Sequence, residues 1–140
     1  MRSLTYWFRA VGALYLFLGV MWLPPLTSAR LTSSIPGFDG PAGGTAEAGF
    51  VDHMVMFSLE LLVLGGFLVF ASFRPQWHEP LLWLVVALSV VRGIIDDIYM
   101  IVMGYPVGLF LAFIALHAAV IVSALLCRCA ARRTVPTPTR

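Results

Sequence analysis

The chain has 140 residues, 60% of them hydrophobic and only 11% charged, with a net charge of +2. Soluble domains average about 45–50% apolar and about 25% charged residues, so both departures point toward lipid. The length suits a single domain, and so small a net charge gives no electrostatic footing for nucleic acid.

The first apolar segment runs from Trp7 to Leu23 and stops at Pro24 and Pro25, which cannot continue a helix. Arg2 and Arg9 ahead of it, with Thr27, Ser28 and Ala29 behind it, resemble a cleaved signal peptide. Tyr6, Trp7, Tyr15 and Trp22 read instead as interfacial anchors of a retained span, and three more apolar segments follow. Residues 27–50 are rich in Gly, Ser and Pro, hold Arg30, Asp39 and Glu47, and show no helical or alternating period, so they are expected to form a loop.

The second span is predicted over 51–73, with Gly65 and Gly66 breaking it. A turn holding Arg74, Pro75, His78, Glu79 and Pro80 leads to a third span over 81–103. The Gly104-Tyr105-Pro106 turn leads to a fourth over 107–127. Each span is close to the ~20 residues that cross ~30 Å of hydrocarbon. The expected fold is therefore all-α, a four-transmembrane-helix bundle (residues 1–127) with a long outer loop between helices 1 and 2. Residues 128–140 form a basic tail with Thr-Pro repeats, for which disorder is expected.

Arginine placement sets the orientation. Arg2 and Arg9, Arg74, and Arg128, Arg132, Arg133 and Arg140 fall on one side, whereas the other side holds Arg30 among Asp39, Glu47 and Asp52. The positive-inside rule puts both termini and the middle turn in the cytoplasm. All nine basic residues are Arg, and neither Lys nor Asn occurs. Codons for those two residues are AT-rich, so a GC-rich bacterial genome is expected, and with it a multi-pass protein of the bacterial inner membrane.

Spans 2, 3 and 4 carry Glu60, Arg92, Asp96, Asp97 and His117. A charge at mid-bilayer costs at least ~2.5–3.5 kcal/mol, so these groups should turn inward and find partners. At ~1.5 Å per residue from the outer ends, Glu60 lies about 13 Å deep, Arg92 about 16 Å, His117 about 15 Å, Asp96 about 10 Å and Asp97 about 9 Å. Ser89, Arg92, Asp96 and Tyr99 are spaced to share one face of span 3, with Asp97 about a quarter turn away, and His53 and Glu60 share a face of span 2. The expected site is a buried Arg92 held by Glu60 and Asp96, with His117 reaching the same network, since a guanidinium fork can hold two carboxylates. Three carboxylates for one Arg exceed neutrality, and an excess carboxylate would suit proton handling or binding of a polar group. The competing reading is that these charges only lock helix packing.

Other features have structural readings. Gly12 and Gly19 lie on one face of span 1, where small residues let membrane helices approach closely. Met54, Met56, Met100 and Met103 near the outer ends are read as packing rather than as copper ligands. Cys127 and Cys129 are too close for an ordinary disulfide and read as filler at a helix end. The sequence has no nucleophile elbow, zinc-protease motif or phosphate loop, so no catalytic residue, metal site or cofactor is assigned.

The segments Tyr6-Trp7-Phe8-Arg9-Ala10-Val11-Gly12-Ala13-Leu14-Tyr15, Glu60-Leu61-Leu62-Val63-Leu64-Gly65 and Val91-Arg92-Gly93-Ile94-Ile95-Asp96-Asp97-Ile98-Tyr99 resemble those of BphX-like small bacterial membrane proteins. A looser similarity is to DoxX-like four-helix proteins. The resemblance spans nearly the whole chain and implies an architecture, not an activity.

Three functional readings follow from the residues. In the first, the intramembrane site binds, or helps to pass, a small apolar or weakly acidic molecule. In the second, the protein is an intramembrane enzyme in which Glu60 or Asp96 shuttles a proton on a lipid or sterol-like substrate. In the third, it is an accessory subunit whose charges serve packing. The expected partners are the bilayer, a small apolar ligand, and a second copy or another membrane protein.

Overall fold

A computed structural model of the protein describes residues 2–24, 26–27 and 35–133, which are mostly helical and free of strands. Arg30, Arg140 and the expected disorder of 134–140 lie outside the described residues. Helix α1 spans Arg2–Met21, α2 Thr45–Ala71, α3 His78–Leu88, α4 Asp96–Val102 and α5 Val107–Arg133. A short 3-10 turn, Pro75–Trp77, precedes α3, and a π-helical segment, Ser89–Ile95, joins α3 to α4 without a break. Three helices, α1, α2 and α5, are long and apolar enough to cross a membrane.

The α1 sequence explains its central place. Leu4, Trp7, Phe8, Val11 and Tyr15 recur at helical spacing and are all buried. They pack with Leu68 and Ala71 of α2, Leu82 and Val85 of α3, and Val120 and Ala124 of α5. Trp7 and Tyr15, expected as interfacial anchors, thus belong to the core, because they fall on the same stripe as Leu4, Phe8 and Val11. The Trp7 indole N–H is satisfied there by donating to Ser123 Oγ of α5 at 3.0 Å.

Helices α1 and α2 run antiparallel with their backbones nearly touching. A Cβ at Gly65 would lie 2.8 Å from the Gly12 carbonyl oxygen and 2.8 Å from the Leu16 nitrogen, and one at Gly19 would meet Leu62. Ser58, fully buried, donates to the Gly19 carbonyl at 2.6 Å. Gly65 and Gly66 therefore do not break α2. Its helix runs through both, and Gly65 is where α1 comes closest.

The starts of the first three spans and the end of the fourth move outward from those expected, while the ends of the first three move inward by one or two residues. Helix α2 starts at Thr45, where Gly43 takes a positive φ of 73° and donates its N–H to Glu47 at 2.7 Å, covering an open helix start with a carboxylate. The end of α4 is a Schellman cap: Gly104 has φ 89°, its N–H reaches the Ile101 carbonyl, and the Tyr105 N–H reaches that of Met100.

Helix α5 runs six residues past Cys127, so the basic stretch 128–133 is helical rather than disordered. Arg128 and Arg132, one turn apart, both reach Glu79 Oε1, at 2.6 and 3.4 Å, and Arg128 also stacks on Trp83. The Arg128 hydrogen bond holds the Glu79 carboxyl below the usual glutamate range. The start of α1 lies at this same end, with Arg9 donating to Ser72 and stacking on Phe73, and Ser3 donating to the Cys127 carbonyl.

Two outcomes test this packing. Gly65→Ala forces apart two touching backbones and should lower stability in detergent by about 1–3 kcal/mol. Gly66→Ala, which meets nothing within 4 Å, should leave thermal unfolding unchanged or raise it slightly. Because the Glu79 pKa is depressed, its grip on α5 is present above the ordinary glutamate range and lost as pH falls below that range. Protection of 128–133 against hydrogen exchange, taken relative to the intrinsic rate at each pH, should fall at acid pH in the wild type and already be low at neutral pH in Glu79→Gln.

Candidate functional site

The π-helical segment organises the polar groups of the chain. In it the Asp96 N–H reaches back five residues to the Val91 carbonyl, so each turn takes up more residues than in an α-helix. Along this run the buried positions are Leu82, Val85, Ser89, Gly93 and Asp97, and the later ones are spaced by four. The wider turn keeps Ser89, Gly93 and Asp97 on one inner face. Asp97 is only 7% exposed, whereas its neighbour Asp96 is exposed.

The inner face meets α5 through Gly93. A Cβ at Gly93 would overlap the His117 ring, so the imidazole lies directly against this backbone. From α1, the Tyr15 hydroxyl lies beside Ser89. Three buried atoms on these residues, Ser89 Oγ, Asp97 Oδ2 and His117 Nδ1, have no hydrogen-bond partner among the described residues. An unmade hydrogen bond at a buried polar group costs about 1–3 kcal/mol, so such groups are rare without a reason. Here three gather on one helix face and its packing neighbour, where the backbone also departs from α geometry.

The other expected site residues lie on the outside of the packed helices. Arg92 Nη1 donates to Glu60 Oε2 in an ion pair joining the middle of α2 to the middle of the run 78–102, and the guanidinium also lies over the Phe57 ring. Side-chain exposure is 52% for Arg92 and 58% for Glu60, so the pair faces outward. Asp96 and Tyr99 are exposed as well, and Asp96 makes no ion pair among those described.

The expected single network is therefore two separate groups. Glu60 and Arg92 do pair, but Arg92 is not buried, does not hold Asp96, and His117 belongs to the other set. Ser89 does not share a face with Arg92, Asp96 and Tyr99, and Asp97 rather than Asp96 is the inward carboxylate. The reason is the π segment. Face assignment at 3.6 residues per turn fails where the ladder shifts to five-residue hydrogen bonds. Gly93 was the residue the sequence reading missed. A glycine four residues after Ser89 and four before Asp97 marks a close helix approach, and that signal was available.

Among the described residues, no group of three or more His, Cys, Asp and Glu side chains gathers as metal ligands. Cys127 and Cys129 are free thiols, and Met56 and Met103 are exposed. A cavity of about 290 Å³, open to the outside, lies at the basic end between Phe70, Arg74, Gln76 and Trp77, away from the polar row.

The comparisons with known proteins give one match: the BphX-like family model fits residues 1–133. No curated protein and no solved structure matches the chain. Nothing in this result speaks for the looser DoxX-like similarity.

The packing at Gly93 yields a direct outcome. Gly93→Ala should displace the His117 ring and lower stability by about 1–3 kcal/mol. Ser89→Ala removes a hydroxyl that bonds nothing and should not lower thermal stability, both measured by unfolding in detergent.

Proposed function

As a member of the BphX-like family in which α1, α2 and α5 are each fit to cross a bilayer, this protein is, we propose, a four-span membrane protein whose inner polar row binds a small molecule. The ligand class is largely apolar, with one hydroxyl or weakly acidic group. The run 78–102 supplies the remaining span. Its pieces of 11, 7 and 7 residues are continuous and together exceed the ~20 that hydrocarbon thickness asks for. The start of α1, the turn before α3 and the end of α5 lie at one end with Arg9, Arg128 and Arg132. That arrangement supports an even number of crossings with both termini on the cytoplasmic side of a bacterial inner membrane.

One observation carries the binding reading: Ser89, Asp97 and His117 present unpartnered polar atoms in an apolar frame. The His117 ring lies against Gly93, one turn before Asp97 on the same inner face, and a carboxylate and an imidazole on that face suit the polar end of such a molecule. The π segment supports the same place, since π turns within helices are frequent at functional sites. The enzymatic alternative keeps the same residues, with Asp97 rather than Glu60 or Asp96 as proton carrier.

Native mass spectrometry of the purified protein tests the binding reading. A small-molecule adduct is expected on the wild type, retained in Asp96→Asn and lost in Asp97→Asn and His117→Phe. An adduct-free wild type, or equal loss in Asp96→Asn, would remove the reading.

A further inference from the structure

The ion pair that the inner site does not use points to a second function of the fold. Glu60 lies ~17 Å along α2 from Ala71, and Arg92 lies ~21 Å along its run from His78, both near mid-length. Around them the exposed surface is apolar, with Met56 and Val63 on α2 and Ile95 on the run beyond Arg92. Asp96 and Tyr99 continue the polar stripe on that run. At this depth neither water nor lipid headgroups reach the outer side of the pair, and acyl chains offer no hydrogen bonds. Arg92 gives Nη1 to Glu60 and has further N–H donors directed away from it.

We infer that this face, the Glu60–Arg92 pair with Met56, Val63, Ile95 and Asp96, is the interface at which two copies of the chain dimerise in the membrane. A second copy with the same topology must be related by a two-fold axis along the bilayer normal, which preserves depth. That operation brings pair against pair, each Arg92 facing the Glu60 of the other copy in an alternating square of charge. Asp96, one turn farther along, adds a carboxylate to each guanidinium, whose fork accommodates two. A face carrying a balanced ion pair is complementary to itself, which lipid is not. The inference rests on the reading that α2 and 78–102 cross the bilayer. It does not depend on a ligand at Asp97.

The test uses the full chain in native membranes with Cys127 and Cys129 replaced by Ser. Copper-phenanthroline oxidation should cross-link Met56→Cys or Ile95→Cys into dimers and leave Val122→Cys, on the exposed side of α5, monomeric. A water-soluble maleimide should fail to label any of the three. Protection from maleimide without cross-linking at 56 or 95, whether lipid or another protein covers the face, overturns the dimer alone. Free labelling at 95 overturns the span as well. Charge reversal gives a second readout. Glu60→Arg and Arg92→Glu should each lose at least tenfold in self-association by energy transfer between labelled copies, and mixing the two variants should restore it. Mixing without recovery contradicts the inference.

Discussion

Hydrocarbon supplies no hydrogen bonds, so every polar group carried to mid-membrane must be satisfied by protein or by something the protein holds. In the proposed four-span arrangement that constraint acts on a small set of side chains, Glu60, Ser89, Arg92, Asp97 and His117, and it divides them in two. Glu60 and Arg92 answer it by pairing across the gap between α2 and the run 78–102. Ser89, Asp97 and His117 are enclosed by α1, the π segment and α5, and leave three atoms unanswered. Packing could have removed this second group at no loss, since apolar side chains of similar size would be more stable there. Ser89 lies in the π segment, Asp97 just after it and His117 against its Gly93, so the unanswered atoms gather where the helix changes its hydrogen bonding.

The rest of the architecture serves to hold that inner face. Helix α1 is the pillar, with one stripe of large side chains against three neighbours and Gly12 and Gly19 set close to α2. Trp7 ties α1 to α5, while Glu79 clasps Arg128 and Arg132 and fixes the end of α5 against the start of α3. These ties hold the later half of α5, and one turn and more before them His117 lies on Gly93. Close approach and a polar row therefore come as one feature, because only a residue without a side chain lets the imidazole so near the backbone.

Much of this was legible in the sequence. Apolar runs, Pro24 and Pro25, and the Gly104 turn located the helices to within about six residues at each end, and the apolar excess marked α1, α2 and α5 as fit for a membrane. Among the charges expected within the spans, depth and helical phase together brought Glu60 to Arg92, and the two do pair. What was not legible was which way they face. A regular helical period put Asp96 on the inner face and Asp97 about a quarter turn off it, whereas Asp97 is buried and Asp96 exposed, because one widened turn rotates everything after Ser89. No local residue pattern announces a π turn. Tyr15 was misplaced for a different reason: an aromatic ring with a hydroxyl fits both the interface and a core, and the stripe it shares with Leu4, Phe8 and Val11 decides between them. The helical 128–133 segment was likewise hidden, since its partner Glu79 lies far away in sequence.

The claim on which everything turns is that the polar row and the ion pair lie inside the bilayer. Spin labels at Val63, Ile95 and Ala115, read in liposomes for collision with oxygen and with a water-soluble nickel chelate, measure that depth directly. Nickel should hardly relax any of the three labels and oxygen should relax the exposed Ala115 strongly, with a label at Gln76 or Tyr105 relaxed strongly by nickel. Nickel contact at Ile95 equal to that at Tyr105 would place the run 78–102 in water and contradict the account.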